Sequence, residues 1–99
     1  MNTLVNILSK ENTNNYNFLK LSEELAELNT EVLQVLSRGK VSLESISNIS
    51  KEVADVEIRI AVIKNILNLE KQVDKAIESK TKKLMLKYHA NELGKSIKP

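Results

Sequence analysis

The sequence has no cysteine and a single histidine, His89. The first absence excludes disulfides, thiolate metal sites and a thiol nucleophile. The second excludes a histidine metal cluster. Tyr16, Phe18 and Tyr88 are the only aromatic residues, so a core must be built from Leu, Ile and Val. The base-stacking surface that single-stranded nucleic acid needs is nearly missing too. Two glycines and one proline leave few turns, which argues against a sandwich or barrel. There is no Gly-rich phosphate loop, no apolar run near the ~20 residues of a membrane span, and no basic–apolar–small leader. The expectation is a soluble, cytoplasmic protein with no membrane partner.

What is present favours helices. The chain has 99 residues, 41% hydrophobic and 28% charged, enough for one folded domain. We expect that domain over residues 1–93, with 94–99 a frayed tail. The net charge of +2 hides a gradient, because cations outnumber acids from Glu70 onward. A basic end permits contact with nucleic acid without requiring it, and nucleic acid is not the partner we expect.

Hydrophobic spacing predicts a short N-terminal helix over Thr3–Lys10, a polar break at Asn12–Asn15, and three long helices. The first long helix runs from about Asn15 to Leu36, with Leu21, Leu25, Leu28, Val32 and Val35 as its inward stripe. Gly39 is its C-cap candidate. Ser42 and Ser47 are candidate N-caps of the second, which runs from about Ser47 to Leu69, with Leu43 to Ile46 a candidate first turn. Its main stripe is Ile46, Ile49, Val53, Val56, Ile60, Ile63 and Leu67. A second stripe of Ala54, Ile58, Ala61, Val62, Ile66 and Leu69 lies opposite. A helix apolar on two faces is buried on two faces, and a short monomer covers both with difficulty, so a homodimer or homotetramer is expected. The third long helix runs from Glu70 or Lys71 to His89 or Glu92, with Val73, Ala76, Ile77, Leu84 and Tyr88 as its apolar line.

The polar residues inside this pattern carry the chemistry. Glu24 and Glu27 are three apart on the first long helix, and Glu52 and Asp55 repeat the spacing on the second. In each pair the two residues lie about 70° and about 130° from the stripe centre, on the same side. Helices packed through those stripes would bring all four carboxylates to one seam. Four half-buried carboxylates repel one another, and burial and like charge both raise their pKa. A divalent cation removes the conflict. Oxygen ligands select a hard ion, so Mg²⁺ is the natural choice, with Mn²⁺ able to substitute. Such a site suits hydrolysis of phosphate esters or anhydrides. Glu23 and Glu31 read as solvated helix charges. Arg59 reads as an ion-pair partner for Asp55, four residues earlier, rather than as a phosphate ligand, and His89 as a C-terminal residue favoured by the helix dipole rather than as a general base. Asn14, Asn15, Asn17 and Phe18 read as caps and packing.

The run Lys20-Leu-Ser-Glu-Glu-Leu-Ala-Glu-Leu28, followed by Lys51-Glu-Val-Ala-Asp-Val56, resembles the MazG-like, all-α nucleoside triphosphate pyrophosphohydrolases, whose signature is ExxE followed by ExxD. Here 24 residues separate Glu27 from Glu52, within the span of that family, and the resemblance covers about Asn17 to Tyr88. It implies an oligomeric helical bundle of three long helices plus a short N-terminal one. It also implies a Mg²⁺-dependent reaction in which a ribo- or deoxyribonucleoside triphosphate becomes the monophosphate and pyrophosphate. By the same resemblance Glu24, Glu27, Glu52 and Asp55 hold the metal, and Glu24 or Glu27 orients the attacking water. Family members carry a basic pair on the last helix, matched here by Lys83 and Lys87. Thr81 stands where the family has Asn, and Lys87 where Arg is common. Lys80, Lys83 and Lys87 form one strip beside the apolar line of that helix, suited to phosphate. The alternative is a non-catalytic helical-bundle oligomer acting as a nucleotide-binding or protein-interaction module.

Overall fold

The computed structural model describes the backbone over residues 2–97 and side chains over residues 2–89. All its regular structure is helical: α1 (Asn2–Glu11), α2 (Asn14–Arg38), α3 (Leu43–Ile66) and α4 (Glu70–Ile97). The chain divides into two compact units, Met1–Asn68 and Leu69–Pro99. The first holds α1 to α3 and the second holds α4.

Caps explain where the helices of the first unit begin and end. Thr13 caps α2, its hydroxyl accepting from the Tyr16 N–H at 3.2 Å. Gly39 ends α2 in the left-handed region at φ 72°, and its N–H donates to the Val35 carbonyl at 2.9 Å. Of the two serine caps expected for α3, Ser42 is the one used, accepting from the Ser45 N–H at 3.0 Å. Leu43 to Ile46 is therefore the first turn of α3. The helix stops at Ile66 rather than Leu69. Asn68 takes φ 54°, a conformation that Asn tolerates better than most residues. Leu69 thus leaves the second stripe and joins the other unit.

The short connection from Arg38 to Leu43 makes α2 and α3 an antiparallel hairpin. This pair forms the principal interface, and α1 packs chiefly on α3. The packing corrects the expected stripes. Each stripe is two columns wide, and a single partner helix covers one of them. Leu21, Leu28 and Val35 of α2 face inward, as do Ile49, Val56 and Ile63 of α3. The other column is exposed: Leu25 (46%) and Val32 (41%) on α2, with Ile46, Val53, Ile60 and Leu67 on α3. The inward side is completed by a polar column on each helix: Asn17, Glu24 and Glu31 on α2, and Ser45, Glu52 and Arg59 on α3, each seven residues apart. Glu31, expected to be solvated, is half-buried in that column. At about 100° per residue the polar columns of the antiparallel pair fall on one flank of the seam and the exposed apolar columns on the other.

α1 lies over the polar flank at its Asn17–Val62 end. Val62 is fully buried (0%), and Val5 and Val56 complete the buried apolar core among the described residues. Asn65 Nδ2 donates to Ser9 Oγ at 2.9 Å, tying α3 to α1. Asn17, 1% exposed, donates to the Leu8 carbonyl at 3.4 Å, in line with its reading as a packing residue.

In the second unit, α4 runs past the expected end at His89 or Glu92 and through Gly94, into the stretch expected to fray. A lone glycine costs a helix only ~1 kcal/mol and does not stop it. Lys98 and Pro99, the rest of that stretch, lie outside the described residues.

Candidate metal centre

The polar flank of the α2–α3 seam gathers the acidic residues. Glu24 of α2 and Glu52 and Asp55 of α3 each offer a carboxylate oxygen, and the three oxygens lie within 4.8 Å of one another. The cause is register. Glu24 is half a heptad from Leu21 and Leu28, Glu52 is similarly placed between Ile49 and Val56, and the antiparallel hairpin sets them side by side. Glu24 and Glu52 are half-buried and Asp55 is exposed, so the group reaches the surface.

Two of the carboxylates lack partners on their inner side. Glu24 Oε2 and Glu52 Oε2 are both buried, with no hydrogen-bond partner among the described residues. A buried polar atom without a partner is unfavourable. The electrostatics agree. Glu24 is raised above its usual value, first by burial, then by the charges of Glu27 and Asp55. Glu52 is raised by burial and then by Glu27 and by Asp55 and Glu24. Each carboxylate makes its neighbours harder to ionise.

The other expected residues are placed as follows. Glu27 is exposed and stands outside the three-oxygen group, yet its charge acts on both Glu24 and Glu52. Arg59 does not form the ion pair expected with Asp55, the pairs among the described residues being Lys20–Glu23 and Glu78–Lys82. Its side chain turns into the seam in the Glu52 column, where Nη1 is buried and unpartnered among the described residues. Lys80, Lys83 and Lys87 lie on α4 in the second unit, all exposed. His89 is exposed and sits inside α4 rather than in its last turn, so a dipole-favoured terminal position does not apply.

Lys20 was not a sequence candidate. It lies one turn before Glu24, half-buried, with Nζ 3.2 Å from Glu23 Oε2 and 5.5 Å from the Tyr16 ring centre. The signal was its four-residue spacing from Glu24, mirrored by the four residues between Asp55 and Arg59.

The donor set suits a hard divalent cation. In an octahedral Mg²⁺ site at ~2.1 Å, adjacent ligands stand ~3.0 Å apart and at most one pair of three is opposed at ~4.2 Å, so the three oxygens, now within 4.8 Å, would draw closer around one ion. Comparison with protein families, with curated proteins and with solved structures finds no match for this chain.

Proposed function

We propose that the chain is a Mg²⁺-dependent nucleoside triphosphate pyrophosphohydrolase, converting a ribo- or deoxyribonucleoside triphosphate and water to the monophosphate and pyrophosphate. The observation that carries this reading is the convergence of Glu24, Glu52 and Asp55 oxygens within 4.8 Å, two of the residues holding buried oxygens without partners among the described residues. The ExxE and ExxD spacing, with its resemblance to the MazG-like enzymes, supports it. Glu24, Glu52 and Asp55 would hold the ion directly. Glu27, exposed beside them, would orient water and accept its proton, a role Glu24 could share. Bound Mg²⁺ would neutralise phosphate charge and lower the pKa of a coordinated water.

A homodimer or homotetramer belongs to the same proposal. Its support is the exposed apolar flank of Phe18, Leu25 and Val32 with Ile46, Val53, Ile60 and Leu67. That flank also favours the second reading, a non-catalytic bundle oligomer that binds nucleotides or a protein.

Pyrophosphate release separates the two readings. We expect release from at least one of the eight common nucleoside triphosphates in Mg²⁺ or Mn²⁺, and its loss in Glu52→Gln. Release that survives both Glu52→Gln and Asp55→Asn at full rate rejects the enzyme reading.

A further inference from the structure

Two unsatisfied features of opposite sign share one flank of the seam. The first is the carboxylate group, which calls for a cation. The second is Arg59, half-buried in the same α3 column as Glu52 and one turn beyond Asp55. Its Nη1 is buried with no partner among the described residues. The guanidinium lies near enough for its charge to act on both Glu24 and Lys20. Yet it forms no salt bridge with Glu24, Asp55 or Glu52 among the described residues.

Arginine gains most from bidentate contact with planar or tetrahedral oxyanions. A buried guanidinium nitrogen without a partner, as Nη1 is among the described residues, is unfavourable. Lys20, from the antiparallel helix, stands at the same end of the seam, its ammonium shared between Glu23 and the Tyr16 ring. The flank is therefore graded, with carboxylates at the Glu27–Glu52 end and two cations at the Lys20–Arg59 end. A cation alone would satisfy the first end and worsen the second. An anion alone would do the reverse. A polyphosphate carried with a divalent cation satisfies both at once.

We propose that Arg59, with Lys20 beside it, binds phosphate oxygens of a polyphosphate whose divalent ion is held by Glu24, Glu52 and Asp55. This rests on the metal reading above. It assigns the chain a phosphate subsite within the first unit, on α2 and α3.

The test uses the full chain, inorganic tripolyphosphate as probe with Mg²⁺ in excess, and calorimetry. Mn²⁺ binding without phosphate is measured in parallel by electron paramagnetic resonance. Arg59→Met keeps the stem and removes the charge, and replacing a buried ion by an apolar group of similar size commonly leaves a fold intact. We expect tripolyphosphate to bind about ten- to hundredfold more weakly to Arg59→Met, the range one charge-assisted hydrogen bond supplies. Mn²⁺ should bind within about threefold of wild type or more tightly, because a nearby cation has gone. Arg59→Lys should recover part of the phosphate affinity, and Lys20→Gln should lose less than Arg59→Met. Unchanged tripolyphosphate affinity in a folded Arg59→Met, or in Arg59→Gln should the Met variant misfold, overturns the proposal and leaves Arg59 a counter-charge for Glu24. Wild type that binds Mn²⁺ but no tripolyphosphate overturns it while sparing the metal site. Wild type that binds no Mn²⁺ rejects the metal reading itself.

Discussion

At the scale of single residues, Glu24 and Glu52 sit where carboxylates are uncomfortable. Both are raised above 4.5, burial being the larger cause and neighbouring carboxylates the next. The folded chain therefore holds these protons more tightly than the unfolded one. Their contribution to stability is full below about pH 4.5 and is lost as pH rises through the raised values. As the group ionises, with Arg59 opposing its charge at Glu24, it strains the metal-free fold. The melting temperature of metal-free protein should fall as pH is raised from 4.5 towards 7, and Glu52→Gln should flatten that slope and melt higher at pH 7. Mg²⁺ should reverse the order. At a hundred times its Kd it adds about 2.7 kcal/mol to wild type, and little to Glu52→Gln. Thermal melts of both proteins across pH, with and without Mg²⁺, check the three statements together. A wild type whose melt ignores Mg²⁺ at pH 7 removes the metal centre. The buried core offers a simpler case. Val62→Ala, at a fully buried position, should cost about 2 kcal/mol, seen as a lower urea midpoint with an unchanged m-value.

At the scale of elements, caps and connections fix the hairpin that makes the seam. Gly39 is the clearest test, because nothing lies within 4 Å of the position a Cβ would take there. The penalty of Gly39→Ala is then purely one of backbone conformation at φ 72°, about 1 kcal/mol. Gly39→Asn should cost less, since Asn tolerates the left-handed region. Equilibrium denaturation of the two variants gives the order. These caps were legible in the sequence, as were four helices and the pairing of Glu24 with Glu52 and Asp55. Facing direction was less legible. Leu25 and Val32 read as core beside Leu21, Leu28 and Val35, because a periodic stripe does not say which of its two columns a partner will cover. Glu31 read as surface and Arg59 as a partner of Asp55 for the same reason: their heptad phase with Glu24 and Glu52 acquires meaning only once the hairpin is formed. The end of α3 was misread because Leu67 and Leu69 keep the helical period, while the conformation of Asn68 breaks it. No helix among the described residues is long and apolar enough to cross a membrane, as the absence of long apolar runs had indicated.

At the scale of the whole molecule, the balance between buried and exposed apolar surface is what needs explaining. Among the described residues of the first unit only Val5, Val56 and Val62 are buried apolar residues, while Phe18, Leu25, Val32, Ile46, Val53 and Ile60 remain open on one flank. A core of that size supplies only a few kcal/mol. An exposed row repeated every seven residues on two neighbouring helices has the spacing of a helix-packing surface. Self-association through this flank would bury it and couple folding to protein concentration. It would also leave the polar flank, with Glu24, Glu52, Asp55 and Arg59, facing the other way. Val53→Asp and Ile60→Asp each place a charge in the centre of the row. We expect sedimentation to show wild type as a dimer or tetramer at micromolar concentrations and both variants as smaller species with lower melting temperatures. The same two substitutions point away from the carboxylates, so Mn²⁺ affinity measured on the folded fraction should change by less than about threefold. Wild type that sediments as a monomer, and melts at one temperature across a hundredfold dilution, would reject self-association through this flank, while the metal centre, whose three carboxylates come from one chain, would be untouched.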